Sequence, residues 1–137
     1  MGEISDRDIL RHCEMLGQLA FEVFSFSQLA HYMAELEERG DGVAFGMIAV
    51  HTQFSMSYSS YQALRLYYVE NAVLRNDAIE GFLRSYADFS RAFSGNWVAT
   101  AGVGAVNERF EVLEASYHGL QTLLRTTRDR CHASLEK

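Results

Sequence analysis

The chain is 137 residues long, with 48% hydrophobic and 22% charged residues, ten glycines, no proline and a formal net charge of −6. At this length one domain, 1–137, with one core is the expectation, and the lack of polar low-complexity runs excludes long disordered segments. The acidic balance excludes a general nucleic-acid coat, because phosphate recognition needs a concentrated basic face; cations gather only at Arg125, Arg128 and Arg130.

Without proline nothing interrupts a helix covalently, so the composition favours long ones. The first begins after Ser5, where Ser5 and Asp8 have the spacing of a capping box. Its apolar rhythm passes through Ile9, Cys13, Leu16, Ala20, Val23, Ala30 and Met33. Gly40 and Gly42 are stop signals, which predicts a helix over about 6–38. Ser25 and Ser27 stand where a hydroxyl bonded to the preceding turn can bend it.

The next segment is ambiguous in a short window. In "FSMSYSSYQ", residues 54–62, Phe54, Met56 and Tyr58 alternate with serines as in a strand, and "GVAFGMIAV" before it is apolar throughout. A longer window decides. Met47, Val50, Phe54, Ser57, Tyr61, Leu64 and Tyr68 recur at alternating steps of three and four, no turn signal interrupts 43–74, and no other segment offers a strand partner. A second long helix over about 43–74 follows, with the serines as small residues beside its packing stripe.

A third, shorter helix is predicted over about 78–94, where Asp77 and Glu80 have capping spacing and Gly95–Asn96 form the end. Ile79, Phe82, Leu83, Tyr86, Phe89 and Phe93 share its apolar face. The last helix starts between Trp97 and Ala105. Val103, Val106, Phe110, Leu113, Tyr117, Leu120 and Leu124 fill its three–four repeat, and Cys131 continues the repeat past Thr127. About four helices, three of them long, joined by short connections, make an all-α, antiparallel up-down bundle.

The histidines test for chemistry. His31 with Glu35 and Glu114 with His118 are paired at one-turn spacing, and in an antiparallel bundle they would fall at similar heights. No Glu-x-x-His occurs, so solvated pairs are the plainer reading and no metal is expected. Cys13 and Cys131 are far apart and neither belongs to a Cys-x-x-Cys pair; Arg128 stands where a haem-attachment motif ending in Cys131–His132 would need its first cysteine. Reduced thiols and no cofactor are expected. The acidic N-terminus lacks an apolar signal core, and no stretch has the length of a membrane span, so a cytoplasmic chain with no membrane partner is the expectation.

Two constellations remain. Arg7 with His12 and Arg125 with His132 are separated by four and six residues, a spacing similar to the Arg/His motif of the HEPN ribonucleases, which are small all-α domains. The resemblance covers only these few residues. It implies that Arg125 would stabilise phosphate and His132 would move a proton on a ribose 2′-hydroxyl; the plainer reading is helix-surface charge. The second is His51, Phe54, Tyr58, Tyr61, Arg65 and Tyr68, which share a face of the second helix and can line a pocket for a flat anion, or simply belong to the core.

The apolar stripes, widened by Phe24, Phe26, Phe45, Tyr67 and Phe89, exceed what one bundle needs. This predicts a homo-oligomer, a dimer or larger, that acts through protein–protein contact and not through catalysis. Exposed parts of the Tyr/Phe-rich stripe and of the 103–124 seam would dock a second copy or a partner, and the acidic bend at Glu35–Asp41 would steer basic partners.

Overall fold

The computed structural model describes residues 5–39, 46–98 and 104–136, without the side chains of 37–39, 46–48, 72, 95–98 and 104–105. Four helices run as α1 (Asp6–Arg39), α2 (Gly46–Glu70), α3 (Asp77–Val98) and α4 (Gly104–Leu135), with a 3₁₀ turn at Ala72–Leu74. Among the described residues there is no strand, and the serine-rich stretch at 54–62 lies inside α2. The expected all-α bundle is observed. Phe45, Val103 and, in the acidic bend, Gly40 and Asp41 lie outside the described residues, as do the side chains of Met47, Glu37, Glu38 and Arg39.

The capping spacing at Ser5 is realised. Its hydroxyl accepts the Asp8 N–H (3.2 Å) and donates to the Asp8 carboxylate (2.9 Å), while its carbonyl accepts the Ile9 N–H. α1 then continues through Ser25–Ser27. Ser27 is wholly buried and donates to the Val23 carbonyl (2.6 Å), so it fills the step between Val23 and Ala30 without an orphaned hydroxyl.

Three boundaries differ from expectation, and at one of them α3 continues through Gly95 and Asn96 to Val98 instead of ending there. α2 stops at Glu70, not near 74, because the Asn71 side chain donates to the Tyr67 carbonyl (2.8 Å) and the next bond, Leu74 N–H to Asn71 C=O, tightens the chain into 3₁₀ geometry. α3 is capped by Asn76 and not by Asp77: the Asn76 side-chain oxygen accepts the Ala78 N–H (2.7 Å) and its carbonyl the Glu80 N–H (3.0 Å). Asp77 and Glu80 then occupy the first turn, where negative charge suits the helix dipole.

Ring contacts fix the directions. His12 lies beside Tyr67, Phe24 stacks on Tyr117, Phe54 on Phe93, and Phe82 meets Tyr117. His12–Tyr67 and Phe54–Phe93 join an early position on one helix to a late position on the next; Asp6–Cys131 and His31–Asn107 do so for α1 and α4, and Phe82–Tyr117 with Phe89–Phe110 advance in opposite senses along α3 and α4, so α1–α4 run up, down, up, down. α1 packs closely against α2 and α4, as does α3 against α4, while α2 and α3 stand further apart. Small buried residues at Ala20, Ala30 and Ala34 let neighbours approach α1. The α2–α3 seam is instead filled by rings: Phe54 lies on Phe93 at 4.6 Å, and Tyr61 on Tyr86 at 4.6 Å. Phe24 and Phe89 are also buried in the bundle's own core, together with Val106, Leu113 and Leu120 of α4. The breadth of the aromatic stripe therefore serves internal packing.

Candidate functional site

A groove of about 590 Å³ follows the outer seam between α1 and α4. Its floor is aliphatic and shallow, made by Gly17, Ala20, Leu120 and Leu124. Gly17 sits in the interior of α1, where a Cβ would meet only the Leu124 Cδ1 at 3.8 Å, an ordinary contact. Helix packing does not require glycine there; its effect is to leave the floor open. α4 supplies a hydrogen-bonded wall: Gln121 donates to the Tyr117 hydroxyl (3.2 Å), and its carbonyl oxygen meets the His118 Nδ1 at 3.2 Å. Arg125 and Arg128, one turn apart, extend that wall. Across from them Glu14, Gln18 and Phe21 rise from α1, and Phe21 is 58% exposed.

A second cavity of about 250 Å³ lies where α1 begins, between Ile9, Leu16, Ile79 and Leu123, with Arg75 and Arg130 among its lining. Cys13 and Leu124 border both spaces and so form the partition. Burial pushes the Cys13 thiol pKa up, the neighbouring Cys131 adds to the rise, and Arg128 and Arg130 oppose it. Both cysteines are free and buried, and the Cys131 thiol points to the Asp6 carboxylate at 3.8 Å.

The residues singled out from the sequence scatter over these features. Arg125 lines the groove; His132 is exposed nearer the end of α4 and Arg7 is exposed on the first turn of α1, while His12 shares a hydrogen bond with Tyr67. Phe54, Tyr61 and Tyr68 turn onto α3, Tyr58 and Arg65 face outward and His51 is half-buried; none of the six borders either cavity. The two His/Glu pairs are not level. His31 stacks on Phe110 and bonds to Asn107 and Glu35, whereas His118 lies opposite Phe24, about two turns away along α1. Among the described residues no group of three or more His, Cys, Asp or Glu could hold a metal ion.

Comparison with known proteins gives no match, whether to a family model, a curated protein or a solved structure. The chain's own surfaces are therefore the only guide to its activity.

Besides the groove, one surface stands out. Opposite its buried stripe α2 carries a second stripe, Ser55, Ser59, Gln62, Leu66 and Val69, at steps of four, three, four and three, with every member exposed. Val69 is 67% exposed and Leu66 58%. From Gly46 to Leu64 α2 contains no Asp, Glu, Lys or Arg. Up to Leu64 its outward side thus lacks the charge that a solvated helix face normally carries, and the exposed Arg65 and Glu70 follow it. Sequence reading followed the inner stripe alone; the signal for the outer one was a helix with two periodic stripes and almost no charge. Among the described residues no helix is long and apolar enough to cross a membrane.

Proposed function

We propose that the chain acts by self-association: a non-catalytic helical bundle whose outward α2 face docks on the same face of a second copy. The observation that carries this reading is the self-complementary order of the outer stripe. Small residues, Ser55 and Ser59, occupy its first half, and Leu66 and Val69 the second, with Gln62 between. Two copies laid antiparallel about a two-fold axis at Gln62 would set Ser59 against Leu66 and Ser55 against Val69, large into small at every level. The two Gln62 amides would meet at the axis, where a polar pair fixes register.

Charge supports the same partner. A chain of net charge −6 repels its copies at long range, and α2 from Gly46 to Leu64 adds no Asp or Glu to that repulsion. Both cysteines are free core thiols, which fits the cytoplasmic setting proposed for the chain. Sedimentation equilibrium over a range of concentrations tests the reading. The native chain is expected to sediment as a dimer. Leu66→Glu, which removes two apolar side chains and buries two like charges per dimer, should raise the dissociation constant at least ~100-fold, about 3 kcal/mol, with unchanged helicity. A native chain that stays at 15.5 kDa at every concentration refutes the proposal.

A further inference from the structure

The groove between α1 and α4 has three properties that helix packing does not explain. Its floor is kept open by Gly17, a residue that costs a helix interior roughly 0.5–1 kcal/mol relative to alanine although the space for a Cβ is there. Its lining includes an exposed aromatic ring, Phe21, beside the aliphatic residues. Its polar wall holds Arg125 and Arg128, neither of which has an ion-pair partner among the described residues. Among the described residues Glu14 is the one carboxylate of the lining and it too makes no ion pair, so the two guanidiniums outnumber it there.

From these features we infer that the groove is a binding site for a small organic anion with a flat or aliphatic apolar body. The body would lie on Gly17, Ala20 and Leu124 beneath Phe21, and the anionic head would bridge Arg125 and Arg128. A volume of about 590 Å³ is that of a small-molecule site, where an apolar floor supplies binding energy and a few fixed polar groups orient the ligand. Guanidiniums one turn apart give planar forks that match a carboxylate or a sulfonate. The His118–Gln121–Tyr117 chain holds that wall in place before the ligand arrives. Each group has its role at once: the missing side chain makes room, the exposed ring covers, and the two cations hold the head.

The inference does not rest on self-association, since the groove and the outward face of α2 belong to different sides of the bundle. Calorimetric titration with three probes tests it: 2-naphthoate, its uncharged counterpart 2-naphthol, and inorganic phosphate. Naphthoate should bind saturably, and both 2-naphthol and phosphate at least about tenfold more weakly, because each lacks one half of the recognised chemistry. Arg125→Ala and Arg128→Ala should each weaken naphthoate about tenfold. Gly17→Leu, which fills the floor and favours the helix, should abolish binding while circular dichroism stays native. Leu66→Glu should bind naphthoate as the native chain does. The inference is overturned if naphthoate fails to saturate, if phosphate alone matches it, or if the arginine and glycine variants bind it unchanged.

Discussion

Ser57 is the residue at which a strand-like alternation and a helical stripe compete in the sequence, and its environment shows why the helix wins. Its hydroxyl donates to the Phe54 carbonyl (2.7 Å) and lies 2.7 Å from the Tyr86 hydroxyl; both side chains are wholly buried. With Ser57 donating to the carbonyl, Tyr86 donates to Ser57, and no polar atom of the pair is stranded. Burial pushes the Tyr86 phenol far above its ordinary pKa of 10.0, with the Ser57 hydrogen bond acting in the opposite direction. Tyr67, Tyr68 and Tyr117 are raised too, in each case chiefly by burial. In the unfolded chain these phenols lose their protons first, so the stability they contribute is complete below pH 10 and is lost as pH rises beyond it. Cys13, raised from 9.0, brings the onset of that loss down by about one pH unit. The urea midpoint should therefore fall steadily above pH 9. Tyr86→Phe should lower it at pH 7 by the equivalent of about 1 kcal/mol and flatten the alkaline decline. An alkaline decline as steep as the native one in that variant would mean that Tyr86 does not drive it.

Between elements, Tyr68 is the tie that aligns the end of α2 with the beginning of α3. Its hydroxyl donates to the Glu80 carboxylate (2.9 Å) and accepts the Asn76 N–H (3.1 Å), while Asn76 caps α3. Tyr68→Phe keeps the ring in the core and removes both bonds. A loss of about 1 kcal/mol is expected, together with faster hydrogen exchange at Ala78 and Glu80 than in the rest of α3. Exchange that accelerates evenly along α3 would instead indicate only a global loss of stability. Periodicity placed Tyr68 correctly on the inner stripe, because that reading counts apolar surface. It could not show what the hydroxyl does, nor that Asn71 would end α2 four residues early through its side-chain bond to Tyr67. Asn76 and Asp77 are both good caps at adjacent positions, and tertiary geometry at Tyr68 selects between them.

At the scale of the whole molecule the bundle was legible because each helix repeats its apolar positions every three or four residues, and a 3.6-residue period leaves one face to bury. The groove was not legible: its walls come from residues 13–21 and 117–128, whose neighbourhood only the closed bundle creates. Self-association was expected from the width of the aromatic stripe, yet that width fills the α2–α3 seam; the surface that now supports it is the opposite, plainer face of α2. Its geometry can be tested by cross-linking. With the two-fold axis at Gln62, a cysteine there faces its own copy, whereas a cysteine at Ser55 faces Val69. Under oxidised glutathione, two Gln62→Cys thiols should join across the axis while glutathione disulfide is reduced to two thiols, giving a covalent dimer on non-reducing gels. Cys13 and Cys131 are buried in the core and do not compete. Ser55→Cys alone should stay monomeric on the gel, and Ser55→Cys combined with Val69→Cys should form the dimer again. Equal cross-linking through Ser55→Cys and Gln62→Cys would mean a parallel or a shifted contact, and the large-into-small register would be wrong.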